Sequence, residues 1–390
     1  MSRADRVGYA HAVGIMSGTS ADGVDAALTR IPRGGLRRPS ELLASAFHPY
    51  PDSLRRRVLG AQEGTLPMRD LFAVHVEVAE IALAAARAAL AGPAARGIAP
   101  TVVGFHGQTV FHDPHGERSG KRLSIQIGEP AVIAAALGCP VVSNFRMADI
   151  LEGGEGAPLV PRFDYHQAAS KTRDRVLLNL GGIANLTRIP AGAGLDRVIA
   201  FDCGPANMLL DAIVGALGPS GARFDAGGAL ADGGHASEEV VRDFLSEPFF
   251  ARRPPKSAGR EDFGAGYLSR FLARTEGMAL ADRLRTAAAI TGLAVARGVE
   301  MSGKGAPHEV YVSGGGAKNT TLIAEIRARL HGTKVETSEA LGVPVEAKEA
   351  MAFAFLAFES LSGRPGNVPS ATGAKREVVL GSITPPPRPA

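Results

Sequence analysis

Apolar residues in this chain come in short runs that end on glycine. Val13-Gly14-Ile15-Met16 is followed by SGTSADG and then by Val24-Asp25-Ala26-Ala27-Leu28, which predicts strand, tight turn and strand. Near the middle of the chain, Val176-Leu177-Leu178-Asn179-Leu180, Gly181-Gly182 and Ile183-Ala184-Asn185-Leu186 repeat that grammar. A third run, Glu309–Ser313, ends on Gly314-Gly315-Gly316 and leads into TTLIAEIRARL, which has helical spacing. Helix-period apolar residues also fill residues 71–91, 284–299 and 347–361. The segment KEAMAFAFLAFESL is apolar on more than one face, so that helix is expected to be buried. Short strands at 101–105 and 140–143 alternate with the helices. The pattern predicts an α/β chain of two similar halves, each opening with a glycine-turned hairpin. The proline-rich end SITPPPRPA is expected to be disordered.

Length and charge narrow this picture. At 390 residues the chain implies two or three domains. Its 45% hydrophobic and 21% charged residues match a soluble globular protein. No apolar run is long enough for a membrane span. The opening MSRADRVGYAHAVG lacks the apolar core of an export signal, so the cytoplasm is the expected location. Cys139 and Cys203 are too far apart in sequence for a metal-type pair and form no disulfide framework. The net charge is 43 − 39 = +4, but the basic residues are scattered. The densest group, Arg55-Arg56-Arg57, reads as the solvated face of a helix, and there is no Trp to stack on bases. Nucleic-acid binding is therefore not expected.

The glycine clusters carry the chemistry. In SGTSADGVD, glycines allow backbone N–H groups to close on an anion, and Ser and Thr add hydroxyl donors. A carboxylate in such a loop is compatible with phosphate when Mg²⁺ lies between them. Asp-Gly and Ser-Gly are also turn dipeptides, so a plain polar hairpin is the competing reading. In FDCGPANMLLD, an apolar approach delivers Asp202 at a strand end, where α/β sheets bind ligands. Its rival is a helix-capping role, open to Asn207 as well. Three glycines at 314–316 leave a junction without side chains, where a flat ring or phosphate can approach. Together these elements describe a nucleotide cleft between two halves. No Walker motif and no GxGxxG after a strand is present.

GIMSGTSADGVD, GFHGQTVFH, NFRMADILEGGEGAPLVP, LNLGGIANLT, FDCGPANMLLD, PPKSAGREDF, YVSGGGAKN and EAMAFAFLA, in this order, resemble the blocks of the anhydro-N-acetylmuramic acid kinase family. That family belongs to the actin-like ATPase superfamily that also holds hexokinase. The resemblance implies two ribonuclease H-like (actin-like) domains with an ATP cleft between them, with boundaries near 1–145 plus about 365–390, and 146–364. It implies that Gly18, Thr19, Ser20, Ala21, Asp22, Gly23, Val24 and Asp25 bind ATP, with Asp22 and Asp25 serving Mg²⁺. Gly181, Gly182, Ser313, Gly314, Gly315 and Gly316 would complete the nucleotide site. Asp202 matches the catalytic base. Asn144 stands where the family usually has Asp, and His166 lies in RFDYHQ, which departs from the usual ending.

The substrate so implied is a bicyclic sugar whose O6 is tied to its own C1. Water must attack C1 while O6 takes the γ-phosphoryl group, so one base suffices. His106 and Gln108 are candidates to orient the sugar, against the alternative of a satisfied buried histidine. Glu155, in a glycine loop expected to be flexible, either senses sugar hydroxyls or faces solvent. Arg146, Arg162, Lys256 and Arg260 are candidates for the lactyl carboxylate, each against the alternative of a surface cation. Should Asp202 fail as base, Glu155 and Asp149 come next. The resemblance also implies a homodimer acting on a small sugar. Another amino-sugar or hexose kinase and a non-catalytic ATP-binding sensor are the alternative functions.

Overall fold

The computed structural model describes residues 8–18, 20–34 and 38–387. It divides into two compact units, residues 1–168 with 347–390, and residues 169–346. The first unit carries β1 (Tyr9–Met16), β2 (Gly23–Pro32), β3 (Glu41–Pro49), β4 (Val102–Phe105), β5 (Gln108–Asp113), β6 (Leu123–Ile127) and β7 (Val141–Ser143). The second carries β8 (Arg175–Leu180), β9 (Ile183–Ile189), β10 (Ile199–Pro205), β11 (Glu309–Ser313) and β12 (Lys334–Thr337). A last strand, β13 (Ser382–Thr384), returns to the first unit.

The sheet of the second unit runs β10-β9-β8-β11-β12. Three antiparallel strands turn back on themselves, and β11 and β12 then run parallel to β8. In the first unit the order is β3-β2-β1-β4-β7 with β13 added at the edge, and the parallel and antiparallel pairs fall at the same places. This shared arrangement is that of the ribonuclease H-like fold, so the repeat predicted from the glycine hairpins is present in both sheets. β5 and β6 form a separate hairpin.

The helix predicted at 71–91 spans Met68–Leu90, that at 284–299 spans Leu280–Met301, and that at 347–361 spans Lys348–Leu361. The last is buried along nearly its whole length, as its all-round apolar pattern requires. It packs on β1, β2 and β4. Gly14 and Gly104 face one another in parallel register beneath it. A Cβ on Gly14 would meet Ala350 O at 1.8 Å, and one on Gly104 would meet Phe353 O at 2.1 Å. Glycine is required at both positions because helix backbone lies against sheet backbone.

Two expectations are corrected here. Residues 146–168 and 347–364 belong to the first unit, because the buried helix closes on its sheet and residues near 149 bond residues near 370. The chain's end is not wholly disordered: Ile383 pairs with Val142, and β13 extends the sheet edge. Residues 388–390 lie outside the described residues. Arg55-Arg56-Arg57 lies on the helix Asp52–Glu63, with Arg57 ion-paired to Glu77. No helix among the described residues is long and apolar enough to cross a membrane.

G104A should cost about 3 kcal/mol, the scale of overpacking a core that cannot yield. A fall in the urea midpoint measures it. An unchanged midpoint would mean that the helix Lys348–Leu361 lifts off the sheet freely.

Candidate active site

The first glycine turn joins β1 to β2. Ser17, buried at its base, organises it: its Oγ lies 2.8 Å from Gly23 O and 2.6 Å from Gln108 Oε1. The Tyr50 hydroxyl donates to Ser17 Oγ at 3.0 Å, and the Tyr50 amide donates to Asp22 O at 3.0 Å. Burial pushes the Tyr50 hydroxyl up to about 12, partly opposed by its Ser17 bond. Gln108 Nε2 donates to Gly18 O at 3.1 Å. Gln108 is fully buried, and its side-chain amide bridges Ser17 and Gly18, which shapes the turn.

Ala21 and Val24 are wholly buried, so their side chains serve the core. Ala21 has φ 50°, a left-handed conformation that shapes the turn. A Cβ on Gly18 would meet only Ser20 Oγ, at an ordinary contact distance of 3.7 Å, and Ser20 and Asp22 are exposed, with Ser20 Oγ donating to Asp22 Oδ1 at 3.0 Å. Asp25 is half-buried on β2. Mg²⁺ takes one or two carboxylates together with phosphate oxygens and water, and Asp22 and Asp25 are the two carboxylates of this segment. Thr19 and the side chain of Arg260 lie outside the described residues.

A second group in this unit is built on His106 and Arg146. His106 is buried at 2% exposure, and its Nδ1 lies 2.7 Å from Gly107 O. A carbonyl only accepts, so Nδ1 carries the hydrogen and Nε2 is left as an acceptor. Arg146 fills it, with Nη2 at 2.8 Å and Nε at 3.2 Å. Burial, then the Arg146 charge, push His106 down to about 3, so it is neutral. Burial also pushes Arg146 down to about 10, opposed by Glu349 and Asp149. Arg146 Nη1 donates to Gly156 O at 2.7 Å. His106 therefore orients Arg146 and is not itself open to a ligand. Burial raises the Glu349 carboxyl beside Arg146, and nothing in the sequence of its apolar helix marks this residue.

Asp149 is fully buried and hydrogen-bonded at both oxygens. Asn367 Nδ2 and Thr372 Oγ1 donate to its Oδ1 at 2.8 and 2.7 Å, and Gly156 N donates to Oδ2 at 2.8 Å. So bonded, Asp149 is an anchor that ties residues 156, 367 and 372 together. The glycine loop is pinned as well, since Glu155 N donates to Thr372 O at 2.8 Å. Glu155 itself pairs with His115 at 3.0 Å. Asn144 is exposed with φ 55°, a conformation that Asn tolerates better than most residues. Arg162 is buried against Glu377 and Asn367 O, and His166 bonds Ser40 and stacks on Phe355, so both are structural.

In the second unit, Asp202 sits at a bulge inside β10 rather than at its end. Its Oδ2 accepts from Ala258 N at 2.8 Å, and its own amide donates to Lys256 O at 3.0 Å. Among the described residues no group donates to Oδ1. Burial pushes the carboxyl up to about 6; the Ala258 bond and Lys256 lower it and Asp262 raises it. Lys256 is buried over the Phe249 ring and donates to Phe249 O at 3.2 Å, so it is not a surface cation. Asp202 is no helix cap, and neither is Asn207, whose Nδ2 donates to Leu180 O at 3.1 Å.

The remaining glycines gather in this unit. Gly181 and Gly182 carbonyls accept the amides of Ala206, Asn207 and Met208, satisfying the start of the helix Asn207–Leu217. Gly314 has φ 80° and lies against Asn179, and a Cβ on Gly316 would meet Leu180 at 2.7 Å. Two of the three consecutive glycines are thus demanded by the fold, while a Cβ on Gly315 would make only an ordinary contact with Asn207 Nδ2 at 3.6 Å. Ser313 is fully buried, and its hydroxyl donates to Leu178 O.

Comparison with known proteins matches residues 10–386 to the family model described as anhydro-N-acetylmuramic acid kinase. A protein of that name from Synechococcus sp. (strain CC9605) is 45% identical over 379 residues, covering 95% of this chain and 98% of the relative. One from Gloeobacter violaceus is 42% identical over 381 residues, covering 96% and 98%. One from Caldanaerobacter subterraneus is 37% identical over 390 residues, covering 95% and 96%.

D149N keeps shape but turns one acceptor edge into a donor facing donors. It should cost about 2–4 kcal/mol, since hydrogen bonds to a charged group are worth about 1.5–3 kcal/mol each. Thermal unfolding checks this, and a wild-type melting curve would show the network to be dispensable.

Proposed function

The chain belongs to the anhydro-N-acetylmuramic acid kinase family, and on that premise we propose that it uses ATP to open the 1,6-anhydro ring of anhydro-N-acetylmuramic acid and phosphorylate O6. The product is N-acetylmuramic acid 6-phosphate, a step of cell-wall recycling. The observation that carries this reading is Asp202: a carboxylate with one oxygen held by an amide, the other without a protein donor among the described residues, and a proton affinity near that of a working base.

Asp202 takes a proton from water as the water oxygen bonds to C1. The C1–O6 bond breaks with its electron pair going to O6, which takes the γ-phosphoryl group and releases ADP. The phosphorus thus replaces the acid that glycoside cleavage ordinarily needs. In the first unit, the Gly18–Asp25 turn supplies backbone donors to phosphate, and Asp22 and Asp25 are the carboxylates that would hold Mg²⁺. That ion neutralises charge on the phosphates. Arg146, fixed by neutral His106, presents a cation for the substrate's carboxylate.

D202N should lower turnover by about 10²–10⁴, the usual cost of losing a general base, with ATP affinity little changed. Because Asp202 acts ionised and its carboxyl lies near 6, wild-type turnover should fall as pH drops through that value. Near-normal turnover in folded D202N would end the assignment.

In ¹⁸O-water, one label should appear at C1 of the product and none on the transferred phosphate. Label on that phosphate would instead mean that water attacked phosphorus.

A further inference from the structure

Two carboxylates are held by consecutive amides of one turn. Ala258 N–H donates to Asp202 Oδ2 at 2.8 Å, and the next, Gly259 N–H, donates to Asp262 Oδ2 at 3.1 Å. The turn is tied down on both sides. Lys256 O accepts the Asp202 amide at 3.0 Å, while Gly259 O accepts the amides of Asp262 and Phe263 at 3.2 and 3.1 Å. Phe263 is buried and packs against the rings of Phe249, Phe250 and Tyr267.

We propose that Asp262 is a positioning residue for Asp202: by accepting from Gly259 it fixes the turn that presents Ala258 N–H to the base, and it sets a second negative charge beside that base. This rests on the reading of Asp202 as the base. An N–H group left without its acceptor frees the peptide plane that follows Ala258, and with it the aim of the donor. Among the described residues, the charged and titratable groups facing Asp202 are Asp262 and Lys256, with Cys203 next in the chain. Like charge nearby disfavours the ionised carboxylate and makes it a stronger base; Lys256 acts the other way.

The test is D262N, which keeps an acceptor oxygen for Gly259 and removes the charge. Carboxyl ¹³C NMR of aspartate-labelled full-length protein identifies Asp202 as the signal missing from D202N. In D262N the midpoint of that signal should move to lower pH, and the acid limb of kcat should move with it while KM for ATP stays put. An unmoved NMR midpoint overturns the proposal whatever turnover does. A midpoint that moves while the kcat limb does not leaves Asp262 in its role and removes Asp202 as base. D262S, which also offers an acceptor without charge, is read in the same way should D262N not fold.

Discussion

The first unit depends on one close approach, that of the helix Lys348–Leu361 to the middle of its sheet. Gly14 and Gly104 lie side by side on β1 and β4, and their missing side chains leave room for the backbone at Ala350 and Phe353. Backbone contact this tight cannot relax by a rotamer change, so the helix has one position. That position places the Phe353 ring 4.7 Å from His106 and 5.2 Å from Phe145, and brings Glu349 near Arg146. The geometry of the His106–Arg146 pair therefore follows from two glycines some ninety residues apart.

Three buried or half-buried groups show how surroundings assign roles to similar side chains. Asp149 accepts three hydrogen bonds and is an anchor. Asp202 accepts one from an amide and, among the described residues, keeps an oxygen without a protein donor, with its proton held more tightly than in water. His106 is kept neutral by burial and by the cation it holds.

The two sheets share an order but differ in what is inserted. The second unit places a long helical stretch between β10 and β11, and it is this stretch that supplies the turn from Lys256 to Gly259 beside Asp202. The first unit inserts the β5–β6 hairpin, which begins at Gln108 and so ties directly to the turn at Gly18. In each unit a polar side chain at the centre is completed by residues from an insertion.

Local pattern determined the α/β class, the long helices, the glycine hairpins and their repetition, because alternation and helical period are written in neighbouring residues. Gly18 and Asp202 were legible for the same reason, each standing in an apolar approach broken by a turn. The tertiary structure alone decided what long-range contact decides. It placed the helix Lys348–Leu361 in the first unit and paired Ile383 with Val142, although a proline-rich end carries no local sign of a strand. It bonded Asp149 to donors from residues 156, 367 and 372, and Gln108 to Ser17 and Gly18. It also showed that Gly314 and Gly316 answer to φ and to Leu180 before any ligand. A side chain's type is fixed by sequence, but its available donors and its proton affinity are set by neighbours distant along the chain.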